Sequence, residues 1–355
     1  MGKTIQVAAD RAFDQSKTVL PAEVARGVYI KNPPGAQALK LMHLLIAIAG
    51  GRMANDMQHE FRLSEIRKIP GMKNHDKASL TPLIADLAAV VMVHDDKEKQ
   101  RVTISGIVDE GAIDYRHEIS GDLLVTWTFR RAFQRMAAES NHWAILDRQT
   151  VFALSSKYAI LLFQHIGSLA NMDRLDAKTF TVSDLRAVFG IPAGKIKRFA
   201  DLNKDVLTPA IAEINQLSRL NLKATPQKIG RTVASVEIAW AVKGGGAKDA
   251  AARELKGHSA GRRARRDGTA ETISPPADAL PAFPATGGFR YAPHWQKLFE
   301  STWAEFGRAH LDRPDSALVA DHVRKVAQGQ GINLESPQMA RILGNVLKNW
   351  KRNEP

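Results

Sequence analysis

The chain has 355 residues, with 50 Lys and Arg against 37 Asp and Glu, and no cysteine. That length suits two domains and a tail, each domain large enough for its own core. The net charge of +13 points to a polyanionic partner, with nucleic acid the default, and the missing thiols exclude disulfides, thiolate metal sites and cysteine nucleophiles, as suits a reducing cytoplasm.

Residues 1–17 read as an N-terminal arm, and a first unit follows over 18–146. Leu39, Met42, Leu45 and Ile46 line one side of a helix from Ala36 to Ala49, closed by Gly50 and Gly51. That apolar stretch is too short to span a bilayer, and no signal peptide or anchor is read. Leu63 to Ile69 makes a short second helix stopped by Pro70 and Gly71. Ala78 to Leu87 makes a third behind the polar lead from Lys73 to Lys77. Val90–His94, Arg101–Val108 and Leu123–Phe129 have strand composition, and the mixed-charge turn from Asp95 to Gln100 suggests a hairpin wing. Arg130 to Ala138 resumes helical spacing and leads to a boundary at Asp147 and Arg148.

The second unit, 147–242, is the more informative. From Ser155 a helix carries Ile160, Leu161, Phe163, Ile166 and Leu169 on one face. Ser183 is read as the cap of a short helix with Leu185, Val188 and Phe189, and Gly190 as its stop. A basic loop with Lys195, Lys197 and Arg198 precedes a third helix near Ala200. That helix turns Leu202, Val206, Leu207, Ile211 and Ile214 inward and Asn203, Lys204 and Thr208 outward. Two alternating strands, 221–224 and 233–240, flank a tip carrying Lys228, Gly230 and Arg231. Helix, turn, helix, basic loop, helix and cationic hairpin is the layout of a winged helix-turn-helix, giving an α+β fold class.

From Lys243 to about residue 290 the composition turns to Gly, Ala, Pro and the cluster Arg262-Arg263-Ala264-Arg265-Arg266, which reads as a flexible linker. Its arginines suit either unspecific phosphate contacts or a solvated charge run. Over 291–355, Trp295, Phe299, Trp303 and Phe306 share a helical face, and Met339 through Trp350 forms a second amphipathic run able to fold back on it, with a third helix between. A small helical region results.

Ser155-Ser156-Lys157-Tyr158-Ala159-Ile160-Leu161-Leu162-Phe163, Val206-Leu207-Thr208-Pro209-Ala210-Ile211-Ala212-Glu213-Ile214-Asn215 and Ile229-Gly230-Arg231 resemble segments of plasmid replication initiators that bind repeated origin sequences, called iterons. The resemblance spans roughly Thr18 to Val242. It implies two tandem winged helices from one ancestral unit, and a bacterial, plasmid-associated, cytoplasmic protein. Its partners would be double-stranded DNA (origin repeats and its own operator), a second copy held through the first domain, and host initiator or helicase proteins. It also implies opening of adjacent AT-rich DNA. Asp205 departs from the pattern, which tends to place a basic residue nearby.

The second unit holds the main reading surface. Asn203 can pair bidentately with adenine; Lys195, Lys197, Arg198 and Lys204 can meet guanine edges or phosphates, with Thr208 beside them. Lys228 and Arg231 would grip phosphates and set register. In the first unit Lys73, Asn74, Lys77, Ser79 and Thr81 surround the third helix, where either DNA contact or dimer formation fits. Each basic residue alone is equally explained as solvated surface; the cluster carries the reading.

Catalytic patterns fail. Gly190-Ile191-Pro192-Ala193-Gly194-Lys195 has one spacer too few for a phosphate loop and joins two helices. No pair among the 11 histidines flanks a single apolar residue as a rolling-circle nuclease would need. Tyr158 and His165 read as packed or hydrogen-bonded residues. The expectation is a non-enzymatic initiator without metal or cofactor. A winged-helix repressor without origin function is the alternative, and an origin nuclease or primase the third class.

Overall fold

The computed structural model describes residues 2–12, 14, 16–67, 76–97, 100–116, 122–170, 172, 175–192, 194–268, 282–305, 314–336 and 338–350. They fall into two compact units, Met1–Ala270 and Glu271–Pro355. Among the described residues no helix is long and apolar enough to cross a membrane.

The first unit opens with α1 (Lys3–Asp10), β1 (Lys17–Pro21), α2 (Ala22–Ala25), β2 (Val28–Lys31) and α3 (Ala36–Ala49). After β3 (His59–Arg62) come α4 (Leu63–Ile66), α5 (Lys77–Ala89), β4 (Val91–Asp96), β5 (Arg101–Ser105), β6 (Val108–Asp114), β7 (Leu124–Phe129), α6 (Arg131–Glu139) and β8 (Trp143–Asp147). The arm expected at 1–17 is part of this body: Ile5 and Ala8 are buried, and β1 pairs antiparallel with β8, Lys17 against Asp147. Amphipathic spacing in α1 supplies the apolar face, and β8 supplies the edge that β1 needs for its backbone hydrogen bonds.

The chain continues through α7 (Arg148–Ala153), α8 (Lys157–Leu169), β9 (Ala177–Thr181), α9 (Val182–Val188), α10 (Phe199–Leu202), a π turn (Asn203–Leu207), α11 (Thr208–Leu217), β10 (Leu220–Ile229) and β11 (Thr232–Val242). Two helices, α12 (Gly245–Lys256) and α13 (Arg262–Arg266), complete the unit. The cap of α9 is Thr181, two residues before the Ser183 expected from sequence. The Thr181 hydroxyl accepts from Asp184 N at 3.0 Å, while Asp184 accepts from Thr181 N at 3.1 Å. Only position 181 has an acid three residues on to close the reciprocal box.

The two modules repeat one topology. The strand before the second helix pairs with the last strand of the hairpin, giving the orders β3-β7-β6 and β9-β11-β10. By this register the wing of the first module is the β6–β7 hairpin. The turn from Asp95 to Gln100, expected to be the wing, instead joins β4 and β5, which form a separate sheet, β2-β4-β5, inserted after the third helix. The stretch Arg101–Val108, which reads as one strand, breaks at Gly106: a Cβ there would stand 2.9 Å from Val90 O. The backbone passes too close for a side chain, and Ile107 then turns into the core.

Both long helices are buried on nearly all sides. Ala38 to Ile46 of α3 and Ala159 to Leu169 of α8 are enclosed, because each packs on its own module and also against the other. His43 Nε2 donates to Gln164 Oε1 at 3.1 Å across this junction, and Arg26 donates to Ser168 Oγ and O at 2.9 and 3.1 Å. The boundary read at Asp147 is therefore a covalent one inside a continuous core.

The expected linker 243–290 is folded over much of its first half. Ala251 is buried and Leu255 packs on the core. Arg262 donates to Ala153 O (3.3 Å) and lies beside Glu254 (3.5 Å), and its own carbonyl accepts from Gln216 Nε2 (3.1 Å). Lys243 Nζ donates to Ser218 O at 2.8 Å and also to Asn215 O, satisfying the end of α11. Small and charged residues looked disordered in sequence; they order because Glu254 and exposed helix-end carbonyls receive the guanidinium and ammonium groups. Residues 269–281 lie outside the described residues.

The second unit holds α14 (Pro293–Glu305), α15 (Ser316–Gly329) and α16 (Gln338–Lys348). Its core joins Trp295, Phe299, Trp303, Val319, Val323, Met339, Leu343 and Leu347 with Phe283 and Phe289, so it begins before the residue 291 expected from sequence. Phe306 lies outside the described residues.

Candidate nucleic-acid interface

In the second module the reading surface is assembled from the loop before α10, the helix that runs through α10, the π turn and α11, and the β10–β11 wing. Leu202, Val206, Leu207, Ala210 and Ile214 are buried, which leaves Lys204 and Thr208 exposed and Asn203 half-buried on the other side. Thr208 Oγ1 donates to Asn203 Oδ1 at 3.4 Å. The π turn aligns residues five apart, so these two fall on one line, with the Asn203 amide N–H groups left to donate outward. Pro209 sits in the first turn of α11, within the α10–π–α11 run, where its missing N–H suits the interrupted ladder.

Lys195, Lys197 and Arg198 are all exposed. Their loop is held by a residue that the sequence reading passed over: the Arg186 guanidinium, at the end of α9, donates to Ile196 O at 3.1 and 3.3 Å and to Lys197 O. An arginine in the last turn of a short helix, followed by a loop with unpaired carbonyls, was the available signal. Arg198 stands at the N-cap position of α10 without a side-chain cap bond, and its guanidinium pairs with Asp201 at 2.9 Å, so part of its charge is spent locally. Asp201, in the first helical turn, complements the positive helix end. Asp205 lies exposed within the π turn.

The wing is a long, exposed ribbon. From Thr225 to Thr232 every residue is exposed, including Lys228 and Arg231. Ile229 pairs with Thr232, so the loop is the two residues Gly230 and Arg231, and Gly230 takes φ 60°. Glycine is the residue that adopts this at the first turn position without strain, and the tight turn fixes where Arg231 points.

Behind the surface, Glu213 of α11 is buried and accepts from Ser155 N (2.7 Å), Ser155 Oγ (2.6 Å) and Ser156 N (3.3 Å). It ties the reading helix to the start of α8, and links two of the quoted sequence segments physically. Lys40 of α3 is also buried; desolvation lowers its ammonium pKa, with Glu213 favouring the charged form and Arg262 opposing it.

The first module places its expected residues differently. Lys73 and Asn74 lie outside the described residues. Lys77 Nζ stands 4.1 Å over the Tyr115 ring. Ser79 closes the cap of α5 with Asp76, and Thr81 Oγ1 donates to Lys77 O at 2.8 Å. These side chains thus serve the helix and its neighbour. The β6 strand carries Asp109, Glu110 and Asp114; Asp114 pairs with Arg116, and Asp109 stands 3.8 Å from Arg130.

His43 and His165 are buried in the core. His165 packs edge-on to Phe180 at 5.4 Å, and burial with the nearby Lys178 and Arg26 charges pushes its pKa down to about 3. Burial lowers His43 to about 4. Tyr158 packs on Phe189 with ring centroids 5.8 Å apart.

Comparison with known proteins agrees with this architecture. The family model of the initiator replication protein WH1 domain matches residues 29–167, and that of the initiator Rep protein WH2 domain matches residues 181–240, together more than half of the chain. None of the curated proteins compared with it matches. Among solved structures, the Pi initiator protein in complex with iteron DNA is similar at 15% identity and a TM-score of 0.46, covering 65% of this chain and 99% of that one. Domains 2 and 3 of RctB are similar at 9% identity and a TM-score of 0.34, covering 58% and 80%. With its two winged modules matched in order by the two family models, the chain belongs to the initiator Rep protein family.

Proposed function

We propose that this initiator binds repeated duplex sites at a plasmid origin, reading sequence chiefly with its second winged helix. The carrying observation is the second module's combination of Asn203, Lys204 and Thr208 on the unburied side of the helix with an exposed basic wing whose turn carries Arg231. The helix suits the major groove and the wing the adjacent phosphates. In this reading the protein is not an enzyme: its most perturbed histidines lie inside the core, and the surface offers donors and cations for binding. Origin opening and recruitment of host helicase machinery follow from iteron binding as further parts of the proposal.

A second role for the first module rests on its inserted sheet. Ile30, Val102 and Ile104 are 60%, 58% and 64% exposed, and Ile104 faces Val93 across β4 and β5, with β5 at the sheet edge. An apolar face beside a free edge suits pairing with a second copy, the form we assign to repression of its own promoter. A V102E/I104E variant should be monomeric where the wild type is dimeric in sedimentation; a monomeric wild type at micromolar concentration refutes this role.

The test of DNA reading is binding to origin duplex across a salt series. Arg231→Ala should flatten log K against log salt by about one unit. An unchanged slope removes the wing from the phosphate contacts.

A further inference from the structure

In the second unit α16 is amphipathic with its two faces cleanly divided. Met339, Ile342, Leu343, Val346 and Leu347 are buried in the unit's own core, so the apolar face already has its partner. The opposite face presents Gln338, Arg341, Asn345 and Lys348, all exposed, at steps of three, four and three. These positions form a single stripe roughly 15 Å long.

The composition of that stripe separates it from its neighbours. On α14 the exposed Lys297 is followed by Glu300, and on α15 Asp321 is followed by Lys325, the mixed charges of an ordinary solvated face. On α16 the stripe has two cations, two amides and no carboxylate; Glu335 stands in the loop before it. Among the described residues no hydrogen bond or ion pair engages the Arg341 guanidinium or the Asn345 amide. Arginine and asparagine are the side chains that match guanine and adenine edges bidentately, and a helix of this width fits the major groove.

We infer that α16 is a third duplex-binding helix, whose Gln338, Arg341, Asn345 and Lys348 stripe contacts double-stranded DNA. This contact is separate from the two winged modules and does not depend on their recognition of iterons.

The experiment uses the full chain and a long random-sequence duplex, where iteron reading plays no part. Binding is measured across a salt series for the wild type, R341A/N345A and R341K. The double variant should lower the salt slope by about one unit, which at 0.1 M salt is about an eightfold weaker association. R341K should keep the wild-type slope, because the cation is retained. On an origin fragment, hydroxyl-radical footprints of the double variant should lose protection only outside the segment that Arg231→Ala affects. A wild-type slope and footprint for R341A/N345A, with unfolding midpoint unchanged, overturns the inference. So does an effect seen on single-stranded DNA alone. Failure of wild-type iteron preference, with the random-duplex slope still dropping in R341A/N345A, would refute the winged-helix reading and leave this one standing.

Discussion

Replacing Glu213 by alanine tests whether the reading helix is held in place by one buried carboxylate. Glu213 accepts two short hydrogen bonds from Ser155 and a longer one from Ser156. Bonds to a charged group contribute about 1.5 to 3 kcal/mol each when buried. Ser155 itself is exposed, so water can reach its N–H and hydroxyl once the carboxylate is gone. Counting the two short bonds at the low end and neglecting the long one gives about 3 kcal/mol. Lys40, buried and already disfavoured as a cation by desolvation, loses its favourable charge as well. For a unit of this size, with about 2 to 4 °C per kcal/mol, the midpoint should fall by about 6 to 12 °C. Glu213→Gln keeps the shape and one acceptor oxygen and should lose roughly half as much. Thermal unfolding and urea titration of the full chain read both variants. A fall of less than about 2 °C for Glu213→Ala would show that water replaces the clamp, and the reasoning would fail.

The remaining expectations concern pH, base reading and the C-terminal helices. In the folded protein His43 and His165 resist protonation down to about 4 and about 3, whereas unfolded histidine titrates near 6.5. The unfolded state therefore binds protons first as pH falls through about 6.5, so stability is greatest above that value and is lost toward pH 4, by up to about 1.4 kcal/mol per pH unit for each histidine. Unfolding midpoints at pH 7, 6 and 5 check this, and a His43→Gln/His165→Phe variant with undiminished pH dependence would assign the effect elsewhere. Asn203→Ala should weaken binding to the cognate repeat by about 1 to 3 kcal/mol and relax preference at one base pair; equal loss on random duplex would make it a backbone contact. A chain ending at Gly268 should keep first-unit stability and the preference for iteron over random duplex, while showing the lower salt slope expected once the α16 stripe is gone. One ending at Val242 should lose about 3 kcal/mol, because the two Lys243 bonds at the end of α11 and the packing of α12 go with it. Equal midpoints for the two truncations would show that α12 and α13 contribute nothing.

The family assignment was legible because local pattern carries it. The apolar spacing of α8 and α11 and the alternation in β10 and β11 are periodicities that the backbone geometry imposes, and they survive any arrangement of modules. The basic loop and wing were legible for a related reason: exposed cations need no partner, so composition alone marks them. Lys195, Lys197, Lys204, Lys228 and Arg231 are all exposed.

What only the tertiary structure decided is which elements meet. The sequence of α3 shows one apolar stripe, yet the helix is enclosed, because α8 of the other module covers a side that the stripe does not name. The wing of the first module follows from strand pairing between β3 and β7, some 60 residues apart, with Arg62 opposite Leu124 and also ion-paired to Asp122 just before β7. No local pattern distinguishes that hairpin from the inserted β4–β5 pair. The arginines after residue 243 show the same limit: charge predicts solvation until Glu254, Gln216 and the carbonyl of Ala153 are brought within reach. Periodicity fixes each element's faces, because it is a property of one stretch of backbone. The partner of each face depends on contacts distant in sequence, and these exist only once the chain has closed on itself.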